Sequence, residues 1–188
     1  RNGEEFIAVH KNERFKSREE AEAVVSRLGD RATVVAASKA QRSVEPPAPF
    51  NTTSFLSAAA SLGISTASAM RAAESLYMRG FISYPRVDNT VYPASLNLRD
   101  VLNVLSSSAE FGSMAGELLA KKELKPTRGN KFATDHPPIH PTGLARRDEV
   151  ESTEWRIYEL VVRRFFATLA DSAVAESMRI DIDANGEP

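Results

Sequence analysis

The sequence contains no cysteine, which excludes disulfide staples, thiol chemistry and any metal site that draws on sulfur. No apolar run approaches the ~20 residues of a membrane span, so no transmembrane helix is expected. Internal repeats, low-complexity tracts and a secretory signal are also lacking. The Asn51-Thr52-Thr53 sequon therefore reads as a chance match at a helix start. A formal net charge of −1 gives no overall basic face. The distribution is uneven, however. Residues 50–147 hold 11 Lys or Arg against 7 Asp or Glu, whereas residues 148–188 hold 4 against 10. This places any phosphate contact on the central part rather than the C-terminal part. At 188 residues the chain suits one or two domains with enough core to fold unaided, and its composition is that of a soluble intracellular protein.

What is present is concentrated in the run Arg79-Gly80-Phe81-Ile82-Ser83-Tyr84-Pro85-Arg86-Val87-Asp88-Asn89-Thr90. It reads as a short strand, in which side chains alternate faces, so Tyr84 and Arg86 point the same way. A phenol with a guanidinium beside it supplies an oxygen nucleophile and a fixed positive fork for phosphate oxygens. Pro85 confines the segment to a sheet edge or a strand end. Taken alone, the triplet also fits the ordinary packing of a tyrosine at a strand end.

The preceding residues read as helix, tight turn, helix. Thr53 or Ser54 can cap Phe55 to Leu62, Gly63 turns the chain, and Ser65 or Thr66 caps a second helix. That helix carries Met70, Ala73, Leu76 and Tyr77 at helical spacing and stops at Gly80, a residue suited to a left-handed C′ position. Followed by a strand, this is the pattern of a winged helix, with Arg71 and Arg79 on or near its second helix and within reach of phosphates. A plain helical hairpin with solvated arginines fits the same residues.

Downstream lies Asp135-His136-Pro137-Pro138-Ile139-His140-Pro141-Thr142. Its three prolines exclude a helix, so the two histidines are not an i,i+4 metal pair. They make a rigid loop that can hold an imidazole at a fixed point, near a phosphate as donor or acid. A stiff linker with an incidental histidine is the alternative.

Elsewhere Phe6 to Val9 alternates like a strand, and Ser17 with Glu20 forms a capping box before Ala21, Val24, Val25 and Leu28. Gly29 ends that helix, and Ala32 to Val35 reads as strand again. Pro46 to Pro49 form a link. Leu98, Val101, Leu102 and Leu105 mark one further helix, and residues 117–134 include a basic, Gly-containing loop. Trp155, Tyr158, Val161, Val162, Phe165 and Leu169 line a long late helix. A last strand, about 176–183, has no local partner and is expected to pair with the first strands, making the middle of the chain an insertion.

The Tyr84 segment, the run Pro46-Pro47-Ala48-Pro49-Phe50-Asn51-Thr52-Thr53, the helix Ala72-Ala73-Glu74-Ser75-Leu76-Tyr77 and the His136 loop occur in the order seen in type IA DNA topoisomerases. Residues 44 to 170 resemble that family. The resemblance implies that Tyr84 attacks DNA and becomes linked to a 5′ phosphate, that Arg86 holds the scissile phosphate, and that His136 contacts the same region by phosphate binding or proton donation. A phenol ordinarily titrates near ~10, so Arg86 is expected to favour the phenolate. Asp88 either orients Arg86, contacts another domain, or is a turn aspartate. The departures are Val87, Asn89, Pro137-Pro138 and His140, where many bacterial members have Thr, Ser, Glu-Ala and Arg. They look like the archaeal or reverse-gyrase-like branch and put any specific role for His140 in doubt.

The resemblance further implies an α+β fold. A mainly helical, winged-helix-like catalytic-tyrosine domain, residues 50–170, is inserted into a β-rich hinge domain formed by residues 1–49 and a return strand at 171–188. The family's magnesium-binding acidic domain precedes the matched region, and the first 45 residues contain no Asp-x-Asp. Asp181-Ile182-Asp183 fits that pattern at the wrong end of the chain, where alternation with Met178, Ile180 and Ile182 reads as a half-exposed strand. Mg2+ is thus expected in the full-length enzyme, on an upstream acidic domain of the same polypeptide, and not in this chain. The start without Met and the stop just after a strand read as cuts from a larger enzyme. The expected partners are a single-stranded DNA segment and that acidic domain, with no membrane. The chain itself is expected to be monomeric, cytoplasmic and chromosome-associated. The rival is a non-enzymatic winged-helix DNA-binding module in which Tyr84 and Arg86 are wing contacts.

Overall fold

A computed structural model describes residues 6–133 and 135–187 of the protein. Among them are six helices and one two-stranded sheet, a mixed α/β composition. The chain divides into two compact units, one running to Val44 and resuming at Val174, the other spanning Glu45–Ala173.

In the first unit, Ser17 caps α1 (Arg18–Arg27) by accepting the Glu20 N–H at 3.2 Å, and the Glu20 carboxylate reaches back to the Lys16 N–H at 2.9 Å. Strand β1 (Thr33–Val44) pairs with β2 (Ala173–Asp183). Gln41 meets Glu176 and Ser177 meets Ala40, so the pairing runs antiparallel. The last strand thus finds its partner among the early residues, in a strand much longer than Ala32 to Val35. The strand expected at Phe6 to Val9 does not form. Its side chains are exposed and it has no ladder partner among the described residues, and alternation alone cannot hold an extended backbone.

The second unit carries α2 (Thr52–Ser61), α3 (Thr66–Met78), α4 (Leu98–Ser106), α5 (Gly112–Leu119) and α6 (Ser152–Leu169). Helix α6 provides most of the core. Ile157, Tyr158, Val161, Val162 and Phe165 are fully buried, and Trp155 stacks on Phe111 at 5.8 Å. Each such side chain contributes about 1.5–3 kcal/mol through burial. Helix α2 is capped by Asn51 rather than Thr53 or Ser54. The Asn51 side chain accepts the Ser54 N–H at 2.9 Å, and Ser54 Oγ accepts the Asn51 N–H at 3.1 Å.

Both α2 and α3 end in the same device. Gly80 (φ +76°) donates to Tyr77 and Phe81 donates to Leu76, and Gly63 (φ +75°) and Ile64 do the same with Ala60 and Ala59. These left-handed exits turn α2 into α3 and direct the chain after α3 back along that helix. Helix α5, absent from the sequence reading, contains Gly112 and Gly116 in only eight residues. Its local propensity is poor, and packing through Ala115 and Leu118 stabilises it instead.

Candidate functional site

Residues 81–90 form only an isolated bridge, Ile82 with Pro141, and bend at Phe81 and Pro85, so the short strand expected around Tyr84 is not a ladder strand. Pro85 has no N–H to extend a ladder. Side chains replace it on both sides of Tyr84. The Ser83 N–H donates to His140 O at 2.9 Å, and the His140 N–H donates to Ser83 Oγ at 3.0 Å. Beyond Pro85, the Thr52 N–H donates to Val87 O at 2.9 Å, the Val87 N–H donates to Thr52 Oγ1 at 2.8 Å, and the Thr52 hydroxyl faces Pro85 O at 2.8 Å. Gly143 allows the proline loop to close on the exit of α3, since a Cβ there would lie 2.6 Å from Gly80 O. Each net bond is worth only about 0.5–1.5 kcal/mol, but together they fix the backbone that carries Tyr84.

The Tyr84 side chain is half-buried. Its ring packs edge-on to Tyr77 at 5.3 Å and against the exposed His136 ring at 4.9 Å. Arg86 reaches back to α3, where Nη2 and Nε donate to Glu74 Oε1 at 2.6 and 2.8 Å. Glu74 and Tyr77 are three residues apart on one helix, so Tyr84 and Arg86 lie along neighbouring positions of the same helical surface. Both bonds from Arg86 converge on one carboxylate oxygen, and the pair is exposed, at 57% for Arg86 and 42% for Glu74.

Asp88 sits on the adjoining surface. Lys131 Nζ lies 2.8 and 3.0 Å from its two oxygens, and Asn51 Nδ2 donates to it at 3.0 Å. These contacts, the Lys131 hydrogen bond foremost, hold the Asp88 carboxyl below the usual carboxylate range. Arg71 is exposed on α3, one turn before Glu74. Arg79 is not gathered with the others. It donates to Glu149 O at 2.7 Å, pairs with Glu154 at 3.4 Å and lies over the Phe81 ring, joining the end of α3 to the start of α6. His140 is buried beneath the loop. Its Nδ1 lies 2.7 Å from Pro138 O, which makes that nitrogen the donor, and burial pulls its pKa down so that the ring is neutral.

Glu74, Tyr77, Lys131, Asn51 and Thr52 thus complete the site; all but Lys131 lie in the runs that carry the resemblance, but the sequence assigns none of them a role there. The spacing of Glu74 and Tyr77 on the helix before Tyr84 was a signal for the first two. No local pattern marks Lys131. Among the described residues, no group of three or more His, Cys, Asp or Glu is placed to hold a metal ion. Asp181 pairs with Arg179 at 2.8 Å and Asp183 accepts the Gly186 N–H at 2.8 Å. No helix among the described residues is long and apolar enough to cross a membrane.

The family profile described as DNA topoisomerase matches residues 1–188. The chain is 47% identical over 183 residues to DNA topoisomerase 1 of Archaeoglobus fulgidus, covering 97% of this chain and 27% of that protein. It is 37% identical over 175 residues to DNA topoisomerase 1 of Thermoplasma acidophilum, covering 93% and 22% respectively. Among solved structures, full-length topoisomerase I from Thermotoga maritima aligns with a TM-score of 0.60 at 21% identity, covering 94% of this chain and 29% of that one. The last likeness concerns the fold alone. The chain spans about a quarter of the length of these curated relatives.

Proposed function

The chain belongs to the DNA topoisomerase family, and we propose that it carries the nucleophile of a type IA enzyme that cuts and reseals one DNA strand. The observation that carries this reading is the presentation of Tyr84. A half-buried phenol stands on a backbone fastened at Ser83 and Val87, with an imidazole against its ring and a guanidinium two residues away.

In the proposed step, Tyr84 Oη attacks the phosphorus of a single-stranded segment. A tyrosyl ester to the 5′ phosphate forms, the bond to the 3′ oxygen breaks, and that oxygen leaves as a hydroxyl after taking a proton. Resealing is the reverse, with the 3′ hydroxyl as nucleophile and the phenol as leaving group. Arg86 binds the non-bridging oxygens and stabilises the charge that builds on them. His136 binds the phosphate or passes the proton. Arg71, Arg79 and Asp88 remain assigned to DNA or its surroundings, Arg71 with the freest side chain and Arg79 with the most intramolecular ties.

We read α2, α3 and the extended segment after them as a winged-helix-like element, and residues 50–170 as the catalytic domain inserted into a hinge formed by residues 1–49 and 171–188. Magnesium of the whole enzyme is assigned to an acidic domain outside this chain, and the protein to the cytoplasm, at the chromosome. Alone, the chain is expected as a monomer that binds single strands without relaxing supercoiled DNA or cutting it appreciably. Measurable relaxation by the purified chain contradicts that assignment. The rival is a non-enzymatic DNA-binding module in which Tyr84 and Arg86 are wing contacts. The two separate when the chain is mixed with the acidic domain, magnesium and end-labelled single-stranded DNA. The enzyme yields a denaturation-resistant adduct that Tyr84→Phe abolishes; the module yields only binding, little changed by Tyr84→Phe.

A further inference from the structure

We propose that Phe132 is a stacking platform for one base of the single strand, a subsite beside Tyr84 that rests on the DNA reading above. Phe132 is 67% exposed. A scattered exposed apolar residue is ordinary on a protein surface. This one differs in how its loop is held and in what surrounds it. On one side of it, Thr90 holds the loop at two residues, Gly129 and Lys131. The Gly129 N–H donates to Thr90 O at 3.0 Å, the Thr90 N–H donates to Lys131 O at 2.8 Å, and the Lys131 N–H donates to Thr90 Oγ1 at 3.0 Å. On the other side, Asn89 Nδ2 donates to Ala133 O at 2.8 Å and to His136 O at 3.1 Å. Asn89 and Thr90 are themselves buried. A Cβ at Gly129 would lie 2.3 Å from Thr90 Oγ1, so glycine is what lets the loop lie this close.

The ring of Phe132 is therefore left in solvent by a backbone that is fixed immediately before and after it. Burial does not explain its position, since it is not among the core residues. Its surroundings suit a polyanion. From Leu124 to Ala133 the sequence has Lys125, Arg128 and Lys131 and no acid; Glu123, which pairs with Lys125 at 3.1 Å, and Asp135 flank this stretch. A flat π face on a segment that carries cations close in sequence is the pairing that single-strand sites use: bases stack while the backbone meets the charges, and the contact tolerates any base sequence. Lys131, now on Asp88, has the side chain best placed to exchange that carboxylate for a phosphate. His136 is four positions after Phe132, a span of at most about 14 Å, and His136 lies against Tyr84. A base on Phe132 thus belongs to the nucleotides close to the phosphate that Tyr84 addresses.

The test is fluorescence anisotropy of the full chain with three labelled probes of equal length: oligothymidylate, an abasic oligomer with the same phosphates, and a duplex. Phe132→Ala is expected to weaken oligothymidylate binding by about fivefold to a hundredfold, the loss of one base–aromatic stack. Abasic and duplex binding should be unchanged, and Phe132→Trp should restore the wild-type affinity. Because the ring is exposed, both variants should melt with the wild type. Equal affinities of wild type and Phe132→Ala for oligothymidylate, or an equal loss on the abasic probe, overturn the platform and leave the DNA reading standing. Failure of the wild-type chain to bind any single strand at low salt overturns the DNA reading and the platform with it.

Discussion

Replacing Glu74 with glutamine separates the two things that Arg86 does. In the protein without DNA, the guanidinium is held by Glu74 through bonds of 2.6 and 2.8 Å, with 57% of the Arg86 side chain and 42% of the Glu74 side chain in solvent. An exposed pair of this kind contributes about 0–1 kcal/mol to folding. The substitution should therefore lower the melting temperature by no more than about 4 °C in a chain of this size. Its effect on DNA should be larger and opposite in sign. A phosphate arriving at Arg86 meets a carboxylate a few ångströms away, and removing one like charge at about 4 Å in water is worth about 1 kcal/mol, or roughly fivefold in affinity. With no carboxylate left to take up a cation when Arg86 moves to phosphate, the dependence of log K on log salt should also steepen, by at most about 0.7 for single-stranded DNA. Anisotropy titrations of wild type, Glu74→Gln, Arg86→Ala and the double variant across a salt series read both quantities. The gain must vanish when Arg86 is absent. A gain that persists in the Arg86→Ala background, or an unchanged affinity and salt slope in Glu74→Gln, refutes the exchange of Glu74 for phosphate.

Further outcomes follow from the fastening of the Tyr84 segment and from its buried titratable groups. Thr52→Val removes the acceptor of the buried Val87 N–H and should cost about 1–3 kcal/mol in a urea titration, with faster hydrogen exchange at Val87. Gly143→Ala places a Cβ 2.6 Å from Gly80 O, so it should cost about 1–3 kcal/mol and shift the NMR signals of Phe81 to Tyr84. His140 is held neutral by burial, below the ordinary value near 6.5. Its contribution is complete above about pH 6.5 and lost as pH falls further, and this part of the stability profile should disappear in His140→Gln. The Tyr158 phenol is pushed up to about 12 by burial, so its contribution is complete below about pH 10 and lost between pH 10 and 12, as spectroscopic titration alongside unfolding should show.

How much of this was legible in the sequence varies with the kind of interaction that makes each feature. Helices α3, α4 and α6 were readable because their apolar residues recur at helical spacing and the same residues pack the core. Gly63 and Gly80 announced the two left-handed exits for a local reason, the cost of a Cβ at positive φ. Helix α5 was not readable, because packing against α4 and α6 outweighs the poor propensity of its glycines. The strand around Tyr84 was misread in kind. In place of a ladder the segment is held by Thr52 and by His140 of the proline loop, which no period of two can reveal. The same holds for the Tyr84 surroundings. The resemblance puts His136 in the region of Tyr84, whereas their ring contact, the Glu74 clasp on Arg86 and the Lys131 clasp on Asp88 join residues that only the fold brings together.

The central claim is that Tyr84 Oη forms the bond to DNA, and mass spectrometry of the trapped adduct tests it most directly. The chain is mixed with the acidic domain, magnesium and single-stranded DNA, denatured, trimmed with nuclease and digested to peptides. The account predicts a nucleotide 5′ phosphate esterified to the peptide containing Tyr84, with fragmentation assigning it to that residue. A nucleotide on Tyr77 or any other side chain, or an adduct that forms undiminished in Tyr84→Phe, contradicts it.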